Sequence, residues 1–391
     1  MMLYLSAIIL SFFLAFVLIT KNNKSQGDYI LAAWLGIIGF HLLSFYIFFT
    51  NRYIDYPNIA ALGMSLPLSH GPFLYLYTTR QTSATPFNKK QLLHFLPLLL
   101  SYLLFAKFYF LPVEQKIEVF KQKGQGYETQ SFINISAIYL SGIVYIVLSL
   151  VRLLKYRKNI VHQFSNTEKI NFNWLLYLIL WMVVIWVVVL FVQGDKFIFG
   201  SVAFFVLWLG YFGIKQVQVF SQKTPPLLIE PSETVNTNPV ENSSGNAENA
   251  TENNSVSSTG NSDGSKYQKS TLSEQEATLI HERLKQLMVE EKPFKNPDLT
   301  LNELAKSLEV HPNSLSQVIN SKERKNFYEL INEWRVEEFR NLVTQSSNQQ
   351  YTLLAISFDC GFNSKASFNR NFKKYTGLTP RDYLKKQVVM Q

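Results

Sequence analysis

Seven apolar runs crowd the first 220 residues, near Met2–Thr20, Tyr29–Phe49, Ile59–Thr79, Leu92–Phe110, Phe132–Leu154, Phe172–Gln193 and Phe197–Val219. Each is about long enough to cross the ~30 Å of hydrocarbon in a bilayer. Inside lipid every backbone N–H and C=O must find its partner within the protein, so runs of this length form helices. The mean hydropathy of +0.03 hides them, because it averages an apolar half with a polar one. Residues 1–220 are therefore expected to form a polytopic seven-helix membrane bundle. The third run carries Pro67, Gly71 and Pro72 and is expected to kink or unwind. The first does not read as a cleavable leader: it lacks a basic start, and no small-residue cleavage site precedes Lys21-Asn22-Asn23-Lys24.

Basic residues in the intervening loops give an orientation. Lys21, Lys24, Arg80, Lys89, Lys90, Arg152, Lys155, Arg157, Lys158, Lys169, Lys215 and Lys223 fall on one side of a seven-span arrangement. Only Arg52, Lys116, Lys121, Lys123 and Lys196 fall on the other. Positive loops stay in the cytoplasm. The expected location is a bacterial cytoplasmic (inner) membrane, with the N-terminus outside and the C-terminus inside.

His41, His70 and His94 sit in or beside these runs, where ionisable groups deserve suspicion. They form no metal-ligand spacing, and interhelical hydrogen bonding is the plain expectation. Cys360 is the only cysteine, so no disulfide can form within the chain, and a small core residue is the simplest role for it. No catalytic, metal or cofactor constellation stands out, and the chain is not expected to be an enzyme.

From Ser221 to about Ser270 the composition turns to Asn, Ser, Thr, Glu, Gly and Pro. Such a stretch buries too little surface to offset its ordering entropy, so 221–270 is expected to be a disordered linker. About fifty flexible residues span an r.m.s. distance of about 40 Å. The remaining segment, 271–391, reads as a soluble all-helical domain, which makes the whole chain all-α.

Helix starts in that domain announce themselves. Ser273 with Glu276, Thr300 with Glu303 and Asn326 with Glu329 each have capping-box spacing. A short helix over Leu301–Leu308, a brief turn, and a second helix opening at Pro312 make a helix-turn-helix pattern. In the second helix Leu315, Val318 and Ile319 point inward, while Asn313, Gln317 and Asn320 point out. A longer helix follows from Asn326 to about Val343, with Phe327, Leu330, Ile331 and Trp334 inward. The pattern then recurs: a short helix with Leu353, Leu354, Ile356 and Phe358, a turn at Asp359-Cys360-Gly361, and an amphipathic helix from about Ser364.

In that last helix Phe368, Phe372 and Tyr375 share one stripe. At 100° per residue Ala366, Arg370 and Lys373 fall opposite, flanked by Asn369 and Lys374. A core-facing stripe backed by a basic, amide-bearing face suits a helix lying in a DNA major groove. Arg370 is the first choice for reading a base, and Lys373 and Lys374 are expected to position phosphates. The formal charge of +9 is concentrated accordingly: Lys365, Arg370, Lys373, Lys374, Arg381, Lys385 and Lys386 face only Asp382 after position 360. A spacer helix of roughly 17 residues, ~25 Å long, could place two reading helices near the ~34 Å repeat of B-DNA.

Leu299 through Lys386 resembles the AraC/XylS-type DNA-binding domain. The likeness is most specific at Gly361-Phe362, Phe368, Arg370, Phe372-Lys373-Lys374-Tyr375-Thr376-Gly377, Thr379-Pro380 and Tyr383, and covers under a quarter of the chain. Fused to membrane spans, it resembles the membrane-bound regulators of Bacteroidetes-type bacteria. The resemblance implies base contacts from Asn313, Ser316 and Gln317 in the first unit, and from Lys365, Ala366, Asn369 and Arg370 in the second. Three residues depart from the pattern: Ala366 replaces a frequent polar residue, Arg324 stands where Gly often follows the first unit, and Phe339 replaces a common Ala.

The leading expectation is a membrane-anchored transcriptional regulator that couples a signal sensed by the spans to promoter binding. The alternative is a transporter or enzyme carrying the DNA-binding module as an accessory. Release of the soluble domain by cleavage within 221–270 is a third arrangement. Expected partners are double-stranded promoter DNA, the lipid bilayer, RNA polymerase if the protein activates, an unidentified small-molecule or protein signal, and a second copy of the chain. No cofactor is expected.

Overall fold

The structure is a computed structural model. It describes residues 1–83, 88–168, 172–192, 194–215, 272–345 and 350–390, with the backbone alone for 212–215 and 387–390. Among the described residues regular structure is helical, and β pairing is limited to one antiparallel bridge, Phe164 to Thr300. The chain divides into two units, residues 1–160 with 167–228, and residues 161–166 with 229–391. The expected linker at 221–270 lies outside the described residues, as does the end of the seventh apolar run.

The first unit holds α1 (Met2–Thr20), α2 (Gln26–Phe49), α3 (Pro57–Leu62), α4 (Pro67–Thr82), α5 (Leu96–Leu104), α6 (Ala106–Tyr109), α7 (Val113–Lys121), α8 (Glu128–Gln163), α9 (Asn173–Val187) and α10 (Asp195–Lys215). Packing centres on α2, which lies against α1 and α4, while α1 also meets α10. Ser25 and Asp28 cap α2 reciprocally, and Asp28 takes Lys21 as ion partner at 3.0 Å. That pair holds the tight α1–α2 turn.

Span number is where the sequence reading needs correction. Among the described residues four helices are long and apolar enough to cross a membrane: α1, α2, α8 and the stretch Asn173–Val192. A fifth arises if the bent pair Pro57–Ser65 and Pro67–Thr82 counts as one span. The third run thus breaks as its prolines predict, by 51° just before Pro67. The fourth run, expected as one span over Leu92–Phe110, is instead a 3₁₀ turn (Lys89–Phe95) followed by α5 and α6. Its polar side chains are spent on tertiary bonds: Ser101 donates to Asn134 at 2.7 Å, and Tyr102 to the Leu62 carbonyl at 2.9 Å. The side chains of α10 are described only to Tyr211, and it is not among the four. Orientation follows parity: with four crossings both ends of the apolar unit share a side, and with five they do not.

The second unit contains α11 (Glu274–Glu290), α12 (Leu301–Ser307), α13 (Pro312–Val318), α14 (Phe327–Val343), α15 (Leu353–Asp359), α16 (Lys365–Thr376) and α17 (Pro380–Met390). All three capping boxes form as the spacing predicts. Each such cap is worth about 1 kcal/mol. Two apolar clusters result. The first joins Ile280, Leu284 and Met288 to Leu304, Leu315, Val318, Phe327 and Ile331. The second joins Val336 and Phe339 to Ile356, Cys360, Phe362, Phe368 and Phe372. Phe358, expected inward, is 47 % exposed, because Ile356 and Cys360 supply the i, i+4 stripe of α15. Phe339 is fully buried, its ring centroid 4.6 Å from Phe368 and 5.4 Å from Phe372. The larger side chain in the joining helix has become the centre of the second core.

Arg324 holds a left-handed φ of 54° after a π turn over Ile319–Glu323. That conformation costs a residue with a Cβ about 1–2 kcal/mol. Glycine removes the clash but adds unfolded-state freedom worth about 0.4–1 kcal/mol. Arg324→Gly is therefore expected to raise the thermal midpoint of the domain by a few degrees. A lowered midpoint would mean that the Arg324 side chain contributes more than its backbone costs.

Candidate nucleic-acid interface

The local sequence sets α16. Ser364 caps it by accepting from the Ser367 N–H at 3.0 Å, and Gly377 ends it at φ +75°. Phe368 and Phe372 face the second core, and Tyr375 donates to the Glu329 carbonyl at 2.7 Å. Two buried polar residues also point inward. Ser367 and Asn371 are 6 % and 2 % exposed, and Asn371 Nδ2 donates to the Tyr328 hydroxyl at 2.9 Å and the Ser367 carbonyl at 3.0 Å. The opposite face is exposed and carries Lys365, Ala366, Asn369, Arg370 and Lys373.

Four of these, Lys365, Asn369, Arg370 and Lys373, line one concavity of about 640 Å³, closed by Thr352 at the start of α15 and Arg381 at the start of α17. Four cations thus border a single hollow beside two helix N-termini, where the helix dipole favours negative charge. Arg370 Nη2 donates to the Tyr328 hydroxyl at 3.2 Å. That bond ties the guanidinium to the joining helix α14. Lys374 does not line the hollow. It pairs with Glu329 at 2.7 Å, and this hydrogen bond holds the Glu329 carboxyl below its usual range. The tie is present at neutral pH and is lost as pH falls through that lowered value.

In the first unit α13 starts at Pro312, with His311 Nδ1 accepting from the Asn313 N–H at 3.2 Å. Asn313 and Gln317 are exposed and Ser316 is half-buried, while Leu315 and Val318 are buried behind them. Ser316 Oγ receives a long bond from Asn320 at 3.5 Å. The helix thus shows an amide face to solvent, with fewer charges than α16.

Sequence reasoning passed over the most connected polar residue of the unit. Arg335 on α14 is 2 % exposed, and burial pushes its guanidinium pKa down to about 10. Its Nε donates to the Phe294 carbonyl at 2.8 Å and Nη2 to the Asn296 carbonyl at 2.8 Å. Cys360 is fully buried, and burial pushes its thiol pKa up to about 12, which suits a packing role.

The apolar unit has a polar chain of its own. Trp34 Nε1 donates to His70 Nδ1 at 3.2 Å, and His70 Nε2 lies 3.0 Å from His41 Nδ1. Indole can only donate, which fixes the tautomers: His70 carries its proton on Nε2, and so does His41. His41 borders a cavity of about 450 Å³ with Phe45, Phe48, Met64, Phe120 and Phe199, and Lys123 stands on its wall. His94 bonds separately to the Tyr145 hydroxyl at 3.0 Å. Interhelical hydrogen bonding is thus what the three histidines do.

In comparison with protein families, residues 304–386 match the model of a helix-turn-helix domain. No curated protein and no solved structure matches the chain. The family match supports an AraC-like DNA-binding domain at the C-terminus, and with it a DNA-binding regulator of transcription.

Proposed function

We propose that this chain is a membrane-anchored, sequence-specific transcriptional regulator in which a signal received by the apolar unit controls promoter binding. The observation that carries the reading is the exposed face of α16, where Lys365, Asn369, Arg370 and Lys373 gather on one hollow inside a matched helix-turn-helix domain. Anchoring is supported by four helices of membrane-crossing length and composition. Reception of a small molecule is supported by the cavity beside His41, within the 300–1,000 Å³ range of ligand sites and lined by mainly apolar side chains with a few polar ones, His41 and Lys123 among them. A cytoplasmic placement of the second unit is supported by Arg152, Lys155, Arg157 and Lys158 near the end of α8, immediately before residues 161–166 of that unit.

In this reading Arg370 reads a base, Lys365, Asn369, Asn313, Ser316 and Gln317 make further base contacts, and Lys373 positions a phosphate. Lys374 reaches a phosphate only by leaving Glu329, and Ala366 offers a methyl group for a thymine methyl. The test is selection of random duplex DNA by the full chain in lipid nanodiscs, with a C-terminal reporter fusion locating the second unit in cells. A recovered consensus with two half-sites about one helical turn apart, and a cytoplasmic reporter, are the expected results. Recovery of random sequence, or a periplasmic C-terminus, would refute the reading.

A further inference from the structure

The second unit includes a short stretch from far upstream, residues 161–166, made of the last three residues of α8 and the three that follow it. Phe164 bridges Thr300 in antiparallel fashion, and the Ser165 N–H donates to the Leu299 carbonyl at 3.2 Å. Ser165 is 1 % exposed and every polar atom it has is engaged. Its hydroxyl donates to the Leu299 carbonyl at 2.7 Å and accepts from Arg335 Nη2 at 3.1 Å. Its carbonyl accepts from Asn332 Nδ2 at 3.1 Å and Arg335 Nη1 at 3.3 Å. With Phe294, Asn296 and Asn332, these acceptors give all five N–H donors of Arg335 a partner.

Arg335 occupies the seam between the two helix-turn-helix cores. Phe294 and Leu299 belong to the first core, Phe362 to the second, and the guanidinium carbon stands 5.9 Å from the Phe362 ring centroid. A buried cation at such a junction fixes geometry only while its donors are satisfied, and Ser165 supplies two of its acceptors. Take Ser165 away, and Arg335 must draw in water or the seam must shift.

We propose that segment 161–166 is a clasp: by completing the hydrogen bonding of Arg335 it sets the angle between the two helix-turn-helix units, so that two-site DNA binding depends on where α8 ends. The partner of this surface on Leu299, Thr300, Asn332 and Arg335 is therefore a named stretch of the same chain. None of those four residues lies on α13 or α16, so the clasp leaves the reading helices uncovered and acts on their relative placement. Its described bonds centre on the Phe164–Thr300 bridge and on Ser165, and both converge on the strand of chain and the helix that hold Arg335. The inference builds on the DNA-binding reading above and adds the route by which the apolar half would control it.

The experiment uses the full chain in nanodiscs, as wild type, Ser165→Gly and Ser165→Pro. Glycine removes the hydroxyl alone, and proline removes the N–H as well. Two probes are used: the two-half-site duplex recovered by the wild type from random DNA, and the same duplex with one half-site scrambled. Ser165→Pro is expected to bind the two-site duplex at least tenfold more weakly and the one-site duplex within twofold of wild type, with Ser165→Gly between. Amide exchange should quicken at 294–299 and 332–336. Equal loss on both duplexes would mark plain destabilisation and overturn the clasp, as would unchanged exchange together with unchanged affinity. If the wild type selects no sequence, the regulatory reading fails by itself, and the exchange measurement still decides whether Ser165 braces the seam.

Discussion

Gly361→Ala should cost the C-terminal domain about 3 kcal/mol or more, a fall in thermal midpoint of roughly 15 °C. Gly361 sits at φ +94°, which a residue with a Cβ holds only under strain of about 1–3 kcal/mol. Space is the second cost: a Cβ there would lie 2.3 Å from the Phe294 carbonyl oxygen and 2.9 Å from Lys295 Cα. Both neighbours are backbone, so neither can turn aside. Moving them also disturbs the 2.8 Å bond from Arg335 Nε to the same Phe294 carbonyl, at the junction of the two cores. Gly377 is the control, because it also has positive φ (+75°) but nothing lies within 4 Å of its ideal Cβ. Gly377→Ala should cost only the conformational part, about 1–2 kcal/mol. Thermal unfolding of segment 272–391, whose single tryptophan is Trp334, followed by fluorescence in the two variants checks this. Similar midpoints would show that close approach at Gly361 contributes nothing.

Gly361 was legible as part of a motif, yet its reason was not, and the same division runs through the molecule. Features set by near neighbours could be read directly. Ser273, Thr300 and Asn326 cap as their spacing says, and Leu315, Val318, Phe368 and Phe372 are buried as a 100° wheel requires. Features set by distant partners could not. A wheel treats charged and amide residues as outward, so it does not mark Arg335 and Asn332 as buried, although Trp334 packs on the first core as it predicts. Their partner Ser165 belongs to the same unit but stands more than 160 residues upstream of them, where no local pattern marks it. Hydropathy over Leu92–Phe110 failed for a related reason, since it counts Ser101 and Tyr102 as tolerable polar residues in a span. Their bonds to Asn134 and Leu62 instead go with a chain broken into short helices. On the candidate interface the wheel put Lys374 beside Lys373, whereas the partner choice of Glu329 takes Lys374 away from the hollow that Lys373 lines.

Arg370→Ala is expected to relax base preference at one position of the selected site and weaken binding to it by about 5- to 150-fold. The size follows from the ~1–3 kcal/mol discrimination of a bidentate Arg–guanine contact, at about 1.4 kcal/mol per decade. Such a contact needs a guanidinium that is exposed yet held in place. Arg370 is exposed on α16 while one Nη2 donates to the Tyr328 hydroxyl at 3.2 Å, leaving its planar fork directed by a residue of α14. Tyr328→Phe separates positioning from readout. It removes the acceptor shared by Arg370 and Asn371 but keeps the cation, so affinity should fall while the preferred base stays the same. Lys373→Ala gives the opposite profile. A phosphate contact carries no sequence information, so binding should weaken evenly across sequences, with the slope of log affinity against log salt reduced by about 0.9. Repeating the selection with each variant, and titrating the recovered duplexes at several salt concentrations, distinguishes the three. A consensus from Arg370→Ala identical at every position to that of the wild type would remove Arg370 from base readout and leave it, like Lys373, a contributor of charge.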